Sequence, residues 1–434
     1  MADVALAAAP AGIDDIARSA AARKDSGDQH SAFHKITEDD AAALRDNSDN
    51  QLAGDLPAGK LASLVSGPLL HSAATISDLD TVRDVPFDQL CHSGSKLTSK
   101  NIFNKLLFRY FLTPIKDVYL PFMTWGLPTN FLMLTFRTYN RDFGLPNHND
   151  DNLAQDLRDT LMPARGKLHR ERSLFLKFKT GLLDTPYLGI PGIVNFIDVR
   201  TQWFDAAVKK AIADGITQVV IIAAGYDTRA YRLGKPGVKF YEIDLPHASE
   251  TKQQLVKKHM PADKYTWPEF IGADLSKVTL MDALNKSSWD STRRTMFIIE
   301  GLVYYLPPEA FKKSLTGISE TAVAGSRLFF DFLHLDALSN EIVMPGLETL
   351  LVSVWNKGES MYSGIDHRPE ALRSLLKKFG FRLHEVMDAQ DISRRYHPHV
   401  QSWNPIKPHV APFFGYVAAE KVMAPIKRQE TIRE

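Results

Sequence analysis

Acidic side chains recur at the ends of apolar runs in the middle of this chain. From such a place a carboxylate can hold the hydroxyl or amino group of a ligand. The run Val219–Ala224 is short, continuous and rich in β-branched residues, the composition of a strand buried on both faces. Gly225 breaks it, and the polar turn Tyr226–Asp227–Thr228–Arg229 follows. A second run, Val238–Ile243, ends on Asp244. Small residues at Ala223, Ala224 and Gly225 let the backbone approach a ligand, and the N–H groups around Asp227 can receive its polar groups. Asp244 can accept both hydroxyls of a ribose. After a third run, Phe270–Gly272, stand Asp274 and Leu275: a carboxylate for an adenine amino group and an apolar wall for its ring. After a fourth, Thr295–Ile299, stand Glu300, Gly301 and Tyr305. Each feature alone has an ordinary explanation as a tight turn or a helix N-cap. Their succession at four strand ends describes a nucleotide-type site.

For those ends to converge, the strands must lie side by side in one sheet with helices between them. The sequence meets that requirement. A helix over Asp205–Ala213 feeds the first run, and one through Gln253–Lys258 follows the second. The fourth run is followed by a helix over Pro308–Thr316, then by a strand over Arg327–Leu333. A helix over Pro369–Phe379 stops at Gly380, which suits the residue after a helix end. Strands over Phe381–Val386 and Phe413–Ala419 close the series. Strands alternating with helices at this spacing predict an α/β fold with a doubly wound, mostly parallel sheet. In such a sheet ligands bind beyond the carboxyl ends of the strands.

The flanks read differently. Residues 1–60 carry eleven Asp and Glu against six Lys and Arg and almost no aromatic residues, the mark of a segment that cannot bury a core. Residues 1–95 are therefore expected as a largely disordered arm. Residues 96–165 are expected as a basic, aromatic helical cap or anchor. Lys96, Lys100, Lys105, Arg109 and Lys116 alternate there with aromatic and aliphatic residues, and Val118–Phe136 is uncharged for nineteen residues. Pro121, Gly126, Pro128, Thr129 and Asn130 interrupt that stretch, so a cap is preferred to a membrane span, with surface contact through 96–138 as the alternative. A basic run from Arg165 to Lys179 reads as one solvated helix face ahead of the main domain, 166–424. Residues 425–434 form a charged tail. Across all 434 residues the net charge is +1, which argues against nucleic acid as a partner, and the single cysteine, Cys91, excludes an intrachain disulfide and a cysteine-rich metal site. No metal is expected. The amino terminus is a poor secretory signal, so the cytoplasm is expected.

The blocks QVVIIAAGYDTRAYRL, YEIDLP, GADLSK and FIIEGLVYYLPPEA together resemble the leucine carboxyl methyltransferase-like family of S-adenosylmethionine-dependent O-methyltransferases, over roughly residues 180–424. The resemblance implies a class I methyltransferase sheet of seven strands with the last antiparallel, and S-adenosyl-L-methionine as cofactor. It further implies that Arg200, in VRTQWFD, holds the methionine carboxylate and that Gly225 lies beside the cofactor. Asp244 would take the ribose, Asp274 with Leu275 the adenine, and Glu300 the methionine end, while Tyr305 would face the acceptor. DTPY, at Asp184–Tyr187, resembles a segment near the family's entrance. Two departures stand out. Ala223 occupies a position where the family has glycine, and residues 1–165 do not resemble the family's short cap.

The expected chemistry is in-line transfer of a methyl group to an oxygen of an unidentified acceptor, a protein C-terminus or a small molecule, with Glu300 and Tyr305 as the catalytic candidates. A carboxylate acceptor needs no base, whereas a hydroxyl would use one, with Tyr305, His247 and His334 as candidates. Two other readings compete. A nicotinamide enzyme fits Asp244 but lacks the GxGxxG turn. A catalytically degenerate scaffold is motivated by Ala223.

Overall fold

The computed structural model describes residues 85–93, 129–186, 189–339, 344–355 and 359–422. A short helix α1 (Phe87–Leu90) runs into β1 (Cys91–Ser93). Four helices follow: α2 (Thr129–Asp142), α3 (Asn152–Leu161), α4 (Pro163–Arg170) and α5 (Leu174–Leu183). Then comes the 21-residue α6 (Ile193–Ala213). The alternating part comprises β2 (Gln218–Ile222), α7 (Arg229–Leu233), β3 (Lys239–Asp244), α8 (Pro246–His259), β4 (Glu269–Gly272), α9 (Leu280–Leu284) and β5 (Thr295–Ile299). A single 3-10 turn (Val303–Tyr305) leads to α10 (Pro308–Thr321), β6 (Arg327–Leu333), α11 (Leu335–Ser339) and α12 (Leu347–Trp355). The chain ends with β7 (Ser363–Ile365), α13 (Pro369–Lys377), β8 (Phe381–Met387), α14 (Ala389–Tyr396) and β9 (Phe414–Lys421).

The main sheet has seven strands in the order β4-β3-β2-β5-β6-β9-β8. The first five are parallel, and β9 runs antiparallel to both β6 and β8. This is the doubly wound, mostly parallel sheet that the pattern predicts, with the antiparallel last strand that the resemblance implies. Its two central strands, QVVII and TMFII, are buried at every position. Alternation within them divides two cores. Val219, Ile221, Met296 and Ile298 face α6 and the amino-terminal helices. Val220, Ile222, Phe297 and Ile299 face α9, α10 and α13. Proline at the first turn of α8, α10 and α13 starts those helices with an N–H the helix does not need.

Residues 129–165, expected as part of a cap or anchor, form helices that join the same core. Phe131, Leu132, Leu134 and Phe136 of α2 pack there with Leu153, Ala154 and Leu157 of α3. The end of the expected arm is also built into the fold, because β1 pairs antiparallel with β7, Cys91 opposite Ile365. Burial pushes the Cys91 thiol up to about 12, so it stays protonated at neutral pH. Among the described residues no helix is long and apolar enough to cross a membrane. Most of 96–138, including its basic half, lies outside them, as do Tyr187 and residues 425–434.

Candidate active site

Register fixes which strand ends stand together. Ile222 lies opposite Ile243 on one side and Ile299 on the other, so Ala223, Asp244 and Glu300 leave the sheet in one row. There the chain order reverses, β3 and β4 lying to one side of β2 and β5 and β6 to the other. The loop after β2 is sharply bent. Ala223 has φ 55° and Gly225 φ 44°, and the Asp227 N–H donates to the Ala224 carbonyl at 2.8 Å. A Cβ on Gly225 would meet no atom within 4 Å, so this backbone faces open space. Asp244 accepts from the N–H groups of Gly225 at 2.7 Å and Leu245 at 2.8 Å. It stays partly exposed, with further acceptor capacity.

Behind that row lies a buried cluster in which every guanidinium meets a carboxyl group. Arg229 donates from Nε to Asp205 at 2.8 Å and from Nη1 to Glu300 at 2.6 Å, and it also grips Asp227. Arg232 pairs with Asp205 at 2.6 Å and Asp151 at 3.1 Å. Arg137, from α2, reaches Asp151 at 3.5 Å and Glu300 at 3.8 Å. Arg200, from α6, donates through Nη1 to Asp331 and to the Tyr304 hydroxyl, both at 3.1 Å, and lies over the Phe196 ring. Burial by itself would raise the Glu300 carboxyl, but Arg229, Arg200 and Arg137 outweigh it and hold Glu300 at about 2. It is an anion at neutral pH. Asp331 goes the other way, because burial lifts it above the usual carboxylate range despite Arg200 and the Gly301 N–H at 2.6 Å. Gly301 itself is required: it has φ 69°, and a Cβ there would sit 3.1 Å from Arg200 Nη1.

Open valences remain in this cluster. Arg200 Nε and Glu300 Oε1 are 3.2 Å apart, yet neither makes a hydrogen bond among the described residues, although both are buried. Arg200 Nη2 forms no hydrogen bond among the described residues. Beyond Arg200, one turn earlier on α6, a pocket of about 600 Å³, open mouth included, is walled by Phe196 and Ile197, by Leu132 and Phe136 of α2, and by Leu350 and Val354 of α12. Tyr304 and Tyr305 line it too. The Tyr305 hydroxyl has no hydrogen-bond partner among the described residues, and burial and Glu359 push its pKa far above neutral. It can donate a proton in a hydrogen bond but makes a poor base.

The other sequence candidates are placed as follows. Both Asp227 oxygens serve Arg229, one of them the backbone N–H at 2.7 Å. Asp274 Oδ1 accepts from the Ser276 N–H at 3.0 Å and hydroxyl at 2.6 Å, and Oδ2 pairs with Lys277 at 3.1 Å. Leu275 is partly buried against the core on the α10 face. His247 is exposed on the first turn of α8. His334 is buried and stacked on His367, and burial depresses it to about 3. From the basic run, Lys167, Arg170, Arg172 and Lys177 are exposed, whereas Arg165 and Lys179 are buried. Asp184 holds the Gly192 N–H at 2.8 Å ahead of α6. Sequence reasoning missed Arg137, Asp151, Asp205, Tyr304 and Asp331. For Asp331 a signal existed, an acid alone inside the apolar strand RLFFDFL. Among the described residues no cluster of His, Cys, Asp and Glu is arranged to hold a metal.

Residues 149–319 match the family model for leucine carboxyl methyltransferase. A protein of Mycolicibacterium vanbaalenii named "Putative S-adenosyl-L-methionine-dependent methyltransferase" is 37% identical over 194 residues, 42% of this chain and 60% of its own length. One of the same name from Mycolicibacterium paratuberculosis is 29% identical over 47% of this chain and 64% of its own. The chain thus spans less than two thirds of the length of these relatives. A solved methyltransferase-named protein of Thermobifida fusca superposes with a TM-score of 0.40 at 15% identity, covering 66% of this chain and 94% of that one.

Proposed function

We propose that this chain, leucine carboxyl methyltransferase-like over residues 149–319, is an S-adenosylmethionine-dependent methyltransferase acting on an oxygen of its acceptor. The observation that carries the reading is the row formed by Ala223, Asp244 and Glu300, with Arg200 behind it. The names of the relatives support the same cofactor. The residues fit it. Asp244 has acceptor capacity for two ribose hydroxyls, and the space beside Gly225 lets the ligand lie against backbone. Arg200 offers Nη2 to the methionine carboxylate, and Glu300 offers the unbonded Oε1 to the ammonium group. Asp274 and Leu275 flank the adenine end, at the carboxyl side of β4.

When bound, the cofactor supplies an electrophilic methyl group on a sulfonium whose departure leaves a neutral sulfide. The protein then has little covalent work to do. Its contribution is alignment of the acceptor oxygen with the methyl group, together with exclusion of water. Glu300, held ionised by three guanidiniums, gives a fixed negative site beside a ligand that carries net positive charge. Tyr305, protonated at neutral pH, serves as a hydrogen-bond donor on the acceptor side. The cytoplasm remains the compartment this reading assigns.

Calorimetry tests it. The full chain should bind S-adenosylhomocysteine, and Asp244→Ala, at a partly exposed position, should raise Kd at least tenfold, about 1.4 kcal/mol. Absence of binding by the unmodified chain defeats the reading. Unchanged affinity in the variant removes Asp244 from the site.

A further inference from the structure

The pocket next to the ion cluster differs from it in every respect that matters for recognition. Its walls are aliphatic and aromatic, from Leu132, Met133, Phe136, Ile197, Leu350 and Val354. Among the described residues its polar contributions are all neutral: Thr129, Ser353, Tyr304 and Tyr305. No Lys, Arg, Asp, Glu or His side chain among the described residues lines it. The Thr129 hydroxyl is buried without a partner among the described residues and can meet a neutral polar group. Pocket and cluster share a wall. Phe196 lines the pocket and carries the Arg200 guanidinium 5.1 Å from its ring centre, and Tyr304 lines the pocket and bonds Arg200 at 3.1 Å.

That wall decides the charge of what can enter. A carboxylate moved into an apolar pocket loses several kcal/mol of hydration unless a cation meets it there. The cation that packs on the pocket's wall is Arg200, and Asp331 and Glu300 already neutralise it. Of its donors that form no hydrogen bond among the described residues, Nε lies 3.2 Å from Glu300 and Nη2 is assigned to the cofactor's carboxylate in the function proposed above. A neutral apolar molecule meets none of these costs, and at about 25 cal/mol per Å² its burial is favourable.

We infer that this pocket is the acceptor site and that it takes an uncharged, apolar molecule methylated at a hydroxyl rather than at a carboxylate. The inference rests on the methyl-transfer reading for the reaction and on the pocket alone for the recognition. In the step, the acceptor's O–C bond forms as the donor's S–C bond breaks, and the electron pair stays on sulfur. The hydroxyl proton leaves through Tyr304, whose hydroxyl donates to Asp331 at 3.3 Å. That carboxyl group, lifted by burial, accepts it more readily than an ordinary aspartate.

Two probes with the same ring system separate charge from shape: 2-naphthol, neutral at pH 7, and 2-naphthoate, an anion. Fluorescence titration of the full chain should show 2-naphthol binding at least tenfold more tightly than 2-naphthoate. Met133→Trp and Met361→Trp fill the pocket from partly buried positions. Each should weaken 2-naphthol binding tenfold or more, and the thermal melt of each variant reports whether it has folded. Equal binding of the two probes, preference for 2-naphthoate, no 2-naphthol binding, or indifference to both substitutions in folded variants overturns the inference. The titrations contain no cofactor. A chain that prefers 2-naphthol yet fails to bind S-adenosylhomocysteine retains the pocket's specificity and loses the methyl-transfer reading.

Discussion

Ala223 is the residue at which sequence and structure say different things about the same methyl group. In the sequence it stands where the resembled family has glycine, a methyl group the site would either accommodate or find crowding. The structure adds a backbone cost: with φ 55°, Ala223 sits in the left-handed region, which costs a non-glycine residue roughly 1–2 kcal/mol. Glycine there would relieve the strain but enlarge the unfolded ensemble, offsetting about 0.4–1 kcal/mol. Ala223→Gly is therefore expected to stabilise the fold by about 0.5–1 kcal/mol and to raise Tm by roughly 2 °C. A melting curve that stays in place or moves down would show that the loop needs the methyl group's packing. Asp227 marks a second limit of reading residues singly. Its place after the turn makes it a ligand candidate in the sequence, and nothing there shows that Arg229, two residues on, takes both its oxygens. The partners of buried charges lie far apart in sequence, as Arg200 and Asp331 do, so this part of the site was not legible.

At the scale of elements, the strands were the legible part. Runs such as VVII and MFII are buried at each position, and continuous β-branched or aromatic runs have few other uses. Helix α6 shows the converse. Pattern alone places a helix over Asp205–Ala213, and the family resemblance extends it back through VRTQWFD, whereas the structure begins it at Ile193. Its first half is buried nearly all round, including Asp198, Arg200 and Thr201, so no polar face betrays a helical period. Helix α3 carries a test of how an element end can serve a site. Its N-cap, Asp151, accepts the Ala154 N–H at 3.0 Å and also meets Arg137 at 3.5 Å, Arg232 at 3.1 Å and the Thr228 hydroxyl at 2.7 Å. Asparagine can keep the cap and lose the charge, whereas alanine loses both. In urea denaturation Asp151→Asn should cost on the order of 2 kcal/mol, and Asp151→Ala about 1 kcal/mol more. Equal losses would mean that the cap contributes nothing and that the carboxylate acts through its ion pairs alone.

Across the whole molecule, a net charge of +1 conceals strong local fields, and their sum governs how stability responds to pH. The expected boundary at residue 166 hides part of this, since Arg137 reaches Glu300 from α2, inside the segment that reads as a cap or anchor. The buried groups pull in opposite directions. Burial raises Glu242 to about 7 although Lys252 lies 2.6 Å away, so its contribution is fully present below the ordinary carboxylate pKa and is lost as pH rises through 7. Glu300, held at about 2, contributes stability that is present above the ordinary value near 4.5 and is lost as pH falls from there toward 2. A single pH profile mixes these with His334, depressed to about 3, which also destabilises the fold as pH falls. A difference profile isolates one group, because the others cancel between variant and parent. Glu300→Gln keeps the shape of the side chain and removes its charge. Its stability deficit against the parent chain, read from urea midpoints, should be largest and level from pH 7 down to 5. It should then shrink steadily between pH 4.5 and the acid limit of the folded state, because protonation makes the parent carboxyl resemble the amide. A deficit that stays constant through that window would show that Glu300 does not draw its stabilisation from Arg229, Arg200 and Arg137. The anionic corner on which the cofactor assignment depends would then be lost.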